Sequence, residues 1–386
     1  MTTFIPYADL TWPEVAALPR QTPLFIPLGE GYPLDELANA LSDPPQIGLL
    51  PPIPYGWEGS GLRVPDQFLE KVISNLLDSL RDDGFTRVYA LTPTGIAPGL
   101  GADRLVLQPR TPKTGNSNSL PIALPSDMER GKVVIIPIGH TEQHALHLPM
   151  STDTLIIDAI AQGVVASAPQ RAAMLPVMPY GVSTHRASFA GTLNIGGRAF
   201  EDFWVSLIDQ LAGRGFDRMY LLSGHGGNCS FLVNVVKYAG ERHRRIFCAT
   251  AWLYLSSPEG VATLEKYRRS GIGGMGHACE LETSFILHLR PDLVHMQRVV
   301  DETDFVSTPS YYMDWVEGGA LIANPPWDDD TATGAYGAGS LATAENGAIW
   351  LKAAITEKVA HVEEIHEQQE RRQARRESGF GLWAGR

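Results

Sequence analysis

Cysteine is scarce in this 386-residue chain: Cys229, Cys248 and Cys279 are the whole complement, and no CxxC spacing occurs. That excludes a disulfide framework and points to a reducing compartment. Cys279 reads as a small buried residue rather than a nucleophile. Long apolar runs are missing too. No window reaches 18 apolar residues without a charge, so no transmembrane helix is expected. The first twenty residues, with acids and prolines breaking every apolar stretch, do not read as a signal peptide. The expectation is a cytoplasmic protein with no membrane partner. Positive charge is short as well, with 31 Lys and Arg against 43 Asp and Glu and a net charge of −12. A general nucleic-acid binder needs the opposite sign over much of its surface. Disorder is excluded by the 44% hydrophobic content against only 19% charged residues.

Glycine (38) and proline (28) are abundant, which suits many loops on a rigid scaffold. The chain also echoes itself. Residues 23–29 (PLFIPLG) line up with 133–139 (VVIIPIG), 50–56 (LPPIPYG) with 175–181 (LPVMPYG), and 84–91 (GFTRVYAL) with 215–222 (GFDRMYLL). Offsets of 110, 125 and 131 residues make the first copy a shortened version of the second. Apolar runs at 133–138, 219–222 and 246–251 alternate with amphipathic stretches at 67–81 and 200–214. Short apolar strands alternating with helices predict a parallel sheet covered on both faces, a three-layer α/β/α arrangement. Four segments follow: a shortened, degenerate N-terminal copy (1–108), a Pro/Ser/Asn-rich linker (109–126), the longer second copy (127–360) and a charged helical tail (361–386). A solvated helix is expected from 353 to 377, ending in Phe380, Leu382 and Trp383. A further irregular stretch, rich in aromatics and proline and holding Asp328-Asp329-Asp330, runs from about 300 to 339.

In such a fold ligands gather at the carboxyl ends of the strands. The run after residue 138 holds His140, Glu142, His144, His147 and Asp153. Carboxylate and imidazole together are the ligand set of a borderline divalent cation such as Zn²⁺ or Mn²⁺. Glu142 and His144, two apart, leave the same face of an extended backbone. Asp153 returns at the start of a helix spanning 154–165, where it would also serve as an ordinary cap. After 219–222 comes Ser-Gly-His-Gly-Gly-Asn (223–228), whose glycines leave His225 unobstructed. The third cluster, 276–284 (GHACELETS), places His277, Glu280 and Glu282 near the start of a helix over 281–289. A helix N-terminus favours carboxylates whatever their function, so a capping role for one glutamate competes with a metal role.

Together the E-Q-H…H-L-P…T-D, G-H-G-G-N and H-A-x-E-x-E-T-S blocks resemble the creatininase family, in the same order and at similar separations. Phe189-Ala-Gly-Thr192, near the family's F-P-G-T, and residues 340–347 extend the resemblance over about 130–360. It implies an α/β/α hydrolase with two divalent ions (Zn²⁺ and/or Mn²⁺, with Fe²⁺ admissible), a small-molecule substrate and a homo-oligomer that is often hexameric. Carried over, Glu142, Asp153 and His225 would hold one ion. His144 and the bridging Asp153 would hold the other. Creatininase has a glutamate where this chain has Gly227, so Glu280 is expected to complete the second ion's shell. His277 would be catalytic, with Glu282 orienting a neighbouring group. The implied reaction is opening of a small, cyclic amide. The alternatives are C–C ring opening of a cyclic diketone of the oxidised inosose type, and a non-catalytic metal-stabilised scaffold. In the first copy Tyr32, Leu34 and Thr94 stand where Glu142, His144 and His225 do, so that half is expected to be a metal-free scaffold.

Overall fold

A computed structural model describes residues 1–96, 99–110, 124–184, 188–315 and 317–379. Most of the linker and the terminal aromatics Phe380, Leu382 and Trp383 therefore lie outside the described residues. Two parallel sheets dominate. The first is built from β1 (Thr3–Pro6), β2 (Leu24–Pro27), β3 (Gln46–Leu49), β4 (Val88–Thr92) and β5 (Arg104–Val106), in the order β1-β3-β2-β4-β5. The second is built from β6 (Val133–Ile138), β7 (Ala172–Met174), β8 (Arg218–Ser223) and β9 (Phe247–Thr250), in the order β7-β6-β8-β9. The order β3-β2-β4-β5 thus recurs as β7-β6-β8-β9, and the echoed segments occupy matching places. Leu28 bridges Ile53 as Ile138 bridges Met178. Gly29 N donates to Ile53 O (3.0 Å) as Gly139 N does to Met178 O (2.8 Å).

The periodicity of two explains the layers. On β6, Val134, Ile136 and Ile138 enter one core with Phe200, Phe203, Trp204 and Leu207 of α5 (Gly197–Gly213) and Leu232 of α6 (Gly226–Arg242). Val133 and Ile135 face the other way, into a core with Ile156 and Ile160 of α4 (Thr152–Ser167), Phe285 of α8 (Glu280–Leu289) and Trp350 and Val362 of α9 (Ala344–Glu377). The α/β/α sandwich expected from the sequence is therefore present. The N-terminal sheet joins the first core through Leu24, Ile26 and Leu28, and through α3 (Asp66–Asp82), whose Leu69, Val72, Ile73, Leu76, Leu77 and Leu80 recur at helical spacing. Helices α3 and α5, at matching places in the two copies, pack on each other. Asn75 Nδ2 donates to Ile195 O (2.5 Å), and Ser79 Oγ accepts from Asn194 N (3.1 Å). The far face of that sheet (Phe25, Ile47, Leu91) is covered by α2 (Leu34–Ala40).

One expectation fails here. The C-terminal helix is not a solvated tail beginning near 353. It starts at Ala344 and buries Val362, Ile365, His366 and Gln369 against the second sheet's layer. Its charged residues hide an apolar stripe that only the sheet's position reveals. Within α9, Glu357 accepts hydrogen bonds from Ser256 N (2.9 Å), Ser257 N (3.0 Å) and both serine hydroxyls, and Lys358 Nζ sits 2.6 Å from it.

Candidate metal centre

Every chemistry-bearing residue is delivered from the carboxyl end of a strand of the second sheet, or from the short strand β10 (Met275–His277) that leads into α8. The connection 139–151 is held by backbone bonds to both halves of the molecule. Glu142 N donates to Met150 O (3.1 Å), while Met150 N and Ser151 N donate to Leu10 O (2.8 Å) and Ala8 O (2.9 Å) of the N-terminal segment. At the end of β8 only glycine fits at 224, because a Cβ there would lie 2.3 Å from Asp153 O. Gly227 is constrained likewise: a Cβ on it would lie 2.4 Å from both Val182 O and the His225 ring.

Two donor sets share Asp153. In the first, His225 Nδ1 lies 2.9 Å from Glu142 Oε2 and 3.2 Å from Asp153 Oδ2. Both carboxylate oxygens are buried with no hydrogen-bond partner. His225 Nε2 donates to Val182 O (2.9 Å), which leaves the lone pair of the neutral ring on Nδ1. Ser183 Oγ donates to Glu142 Oε1 (3.1 Å) and fixes that carboxylate. In the second set, His144 Nδ1 donates to Glu142 O (3.1 Å), so its lone pair is on Nε2, which lies 3.1 Å from Asp153 Oδ1 and 4.0 Å from Glu282 Oε1. With its imidazole deprotonated, each set brings acceptors together without a donor, a donor set that fits a divalent cation. The backbone carbonyls orient each histidine as the partners of metal-bound imidazoles do. Among the described residues the candidate cation-holding groups are His140/Glu142/His225, Glu142/His144/His277 and His144/Asp153/Glu282, all buried.

The sequence places Glu142, His144, Asp153, His225 and His277 together, and the structure does so too. Glu280 is the exception. Its carboxylate accepts from Arg269 N (2.9 Å) and Ser270 N (2.7 Å), so it ties down the turn after α7 (Pro258–Tyr267). Glu282 takes the place expected of Glu280, with Oε2 held by Ala278 N (2.6 Å) and Oε1 toward His144. His147 lies outside these groups, 2.9 Å from Thr283 Oγ1. The residues sequence reasoning missed are Val182 and Ser183, directly after the second echoed segment, and Gln143. His277 Nε2 donates to the Gln143 carbonyl (2.7 Å).

Electrostatics follow from burial and crowding. Burial would raise Asp153 and Glu142, yet His144 and His225 hold Asp153 down at about 2 and His225 holds Glu142 well below its usual range. Burial would lower His144 and His225; Asp153 and Glu142 outweigh it, taking His144 up to about 9 and His225 well above 6.5. Burial, with His225 adding to it, pushes His140 down to about 3, and burial with His144 does the same to His277. Burial pushes Glu282 up to about 7. The site opens into a cavity of about 230 Å³ lined by Asp153, His225, His277, Glu282, Trp252 and Trp327. Trp327 comes from the irregular 300–339 stretch and packs edge-on against His277, with ring centroids 4.7 Å apart. Of the 310–315 stretch, Met313 reaches the cavity, whereas Trp315 packs on Tyr254.

Residues 123–362 match the family described as Creatininase: Creatinine amidohydrolase. Among curated proteins, a mycofactocin precursor peptide peptidase of Mycolicibacterium smegmatis is 34% identical over 44% of this chain and 62% of its own length. A creatinine amidohydrolase of Pseudomonas putida is 30% identical over 44% of this chain and 68% of its own. A 3-dehydro-scyllo-inosose hydrolase of Thermotoga maritima is 29% identical over 50% of this chain and 61% of its own. The match thus spans less than two thirds of the first relative's length. A solved creatininase shares the fold at a TM-score of 0.52 and 24% identity, covering 62% of this chain and 93% of that one. With more than half of its residues inside the family match, and its strand-end clusters in the order the family carries them, the chain belongs to the creatininase family.

Proposed function

We propose that the chain is a two-metal hydrolase that opens a small amide, the cyclic kind being the leading substrate class. The observation that carries this reading is the convergence of Glu142 Oε2, Asp153 Oδ2 and His225 Nδ1, next to His144 Nε2, Asp153 Oδ1 and Glu282 Oε1, at a cavity of about 230 Å³. Glu142, Asp153 and His225 would hold one Zn²⁺ or Mn²⁺; His144, Asp153 and Glu282 would hold the other. Bound there, the pair would supply an activated water and a Lewis-acid contact for the carbonyl.

The chain's own residues do the rest. On binding cations His144 and His225 would give up a proton each, and the Glu142 and Val182 carbonyls already hold the rings so that Nε2 of His144 and Nδ1 of His225 would present their lone pairs. His277, fixed through Nε2 by the Gln143 carbonyl, keeps Nδ1 for exchanging a proton with the leaving nitrogen. The cavity is smaller than the roughly 300–1,000 Å³ of drug-sized sites, which favours a small ring or one end of a larger molecule. A ring ketone would use the same groups, and the inosose hydrolase relative favours C–C opening as the second reading. Assembly into a homo-oligomer and a cytoplasmic location belong to the same reading.

The test is elemental analysis followed by a screen against lactams, hydantoins, formamides and cyclic diketones, with a chelated control. Two ions per chain and chelator-sensitive amide hydrolysis are expected. Diketone cleavage alone selects the second reading, and stoichiometric absence of metal from active protein ends both. His277→Gln should lower turnover by roughly 10²- to 10⁴-fold with metal content near native. Loss of an ion would instead make His277 a ligand.

A further inference from the structure

Three of the side chains that line the cavity, Met313, Ile322 and Trp327, come from the 300–339 stretch, which supplies none of the candidate cation-holding groups among the described residues. The stretch is irregular, yet it is fixed in place. Asp314, next to Met313, accepts from Arg268 Nη1 (2.9 Å) and Gly273 N (3.1 Å), and Tyr312–Met313 pairs with Glu317–Gly318 as an antiparallel hairpin. Around Trp327, Asp328 accepts from Ser188 Oγ, and Asp330 accepts from Val306 N (3.0 Å) and the Tyr336 hydroxyl (3.1 Å). The N-terminal segment braces the same turn, with Trp12 Nε1 donating to Thr333 O (2.9 Å).

The Trp327 indole is held on several sides. Its centroid lies 4.7 Å from that of His277 and 4.8 Å from that of Tyr336, both at steep angles, and Phe189 and Met313 belong to the same buried cluster. His277 in turn packs on His144, with ring centroids 4.2 Å apart. Trp327 therefore stands one imidazole away from the second donor set. A side chain only 9% exposed that still lines the cavity is a preformed wall, not a flap.

Ile322 completes the wall differently. It lines the same cavity but is 86% exposed. An apolar side chain left open beside an aromatic one is surface that a ligand can cover. Phe231 and Trp252 extend that surface, and aromatic walls favour rings, which they meet edge-on or offset. The cavity thus combines carboxylates and imidazoles for the reacting group with apolar, mainly aromatic, surface for whatever is attached to it. We infer that Trp327, Met313 and Ile322 form the specificity wall of the centre, and that the amide it takes carries a flat, uncharged apolar ring beside the scissile carbonyl. The inference rests on the two-ion reading and narrows its substrate class from small amides to aryl-substituted ones.

Acetohydroxamate and benzohydroxamate offer one metal-binding group with a methyl or a phenyl attached, and serve as probes in calorimetric titration of the zinc-loaded protein. Benzohydroxamate should bind roughly tenfold tighter or more. Trp327→Ala should cut that preference to about twofold or less with zinc content unchanged. Ile322→Asp, at a position too exposed to affect folding, should weaken benzohydroxamate more than acetohydroxamate. In crystals of the zinc-loaded protein soaked with benzohydroxamate, phenyl carbons should lie within about 4 Å of Trp327. Equal affinities for the two probes, a preference that survives both substitutions, or a phenyl turned away from Trp327 overturns the inference while leaving the two-ion reading intact. If Trp327→Ala does not fold, the probe pair on the unaltered protein and Ile322→Asp still decide. Failure to take up zinc, or zinc uptake with neither hydroxamate bound, fails the two-ion reading and this inference with it.

Discussion

Glu280 and Glu282 stand two positions apart on one helix, about 200° around its axis, so they face opposite ways. β10 enters α8 with Glu282 toward His144 and Glu280 toward the backbone at Arg269 and Ser270. The sequence shows the pair and the helix but not the helix's phase relative to Asp153, and so it cannot choose between them. Glu282→Gln should therefore lose about one of two bound ions by elemental analysis. Glu280→Gln should keep both and melt earlier, losing roughly 1–3 kcal/mol with its charge-assisted bonds. The reverse pattern would reinstate Glu280 as the ligand. Protonation adds a second expectation. With His144 at about 9 and Glu282 at about 7, protons compete with the cation at both groups. Lowering pH from 9 to 7 should weaken metal affinity at least tenfold per unit, since His225 takes up a proton as well as His144, and more steeply below 7 as Glu282 also protonates. Calorimetric titration in buffers of different ionisation enthalpy would show the released protons; a flat affinity across this range would contradict the assignment.

The strands are legible as elements because each buried strand is a short continuous apolar run. β6 coincides with the run 133–138, and α3 and α5 with the amphipathic stretches at 67–81 and 200–214 to within three residues. Helix α9 is harder to read because its buried stripe mixes Glu357, Lys358, His366 and Gln369 with Val362 and Ile365. Polar groups read as solvated unless their partners are visible. Glu357 has five, and they hold its carboxyl down at about 2, against the burial that would raise it. Since the folded value lies below the unfolded one, this group's contribution is complete above about pH 5 and is lost as pH falls toward 2. Glu357→Gln leaves the Lys358 ammonium buried without its partner, an expected loss of about 3–5 kcal/mol at pH 7. Urea midpoints measured from pH 7 downward should show a constant gap between variant and parent to about pH 5, then a narrowing one. A gap independent of pH would mean that the carboxylate charge is not what anchors α9.

At the scale of the molecule, the N-terminal half repeats the strand order of the second sheet, and among the described residues no candidate cation-holding group lies in it, yet the candidate centre is tied to it physically. The shared core runs without a break from Leu24, Ile26 and Leu28 of the first sheet, through α3, into Phe200, Phe203 and Trp204 of α5. Ala8 and Leu10 carbonyls hold the backbone of Ser151 and Met150, between His144 and Asp153, and the Tyr7 hydroxyl donates to Gly191 O (3.1 Å). Removing residues 1–108 would bare the α5 face, an apolar patch far beyond what a soluble monomer tolerates, and would release the loop between His144 and Asp153. Such a fragment is expected to aggregate when expressed alone, and to regain solubility and metal uptake when residues 1–108 are supplied as a separate chain. A milder probe separates the two effects. Tyr7→Phe keeps the apolar contact and removes one buried hydrogen bond, so it should lower stability by about 1 kcal/mol while leaving metal stoichiometry intact. A monodisperse 109–386 fragment binding two ions with native affinity would show that the first half is dispensable to the centre.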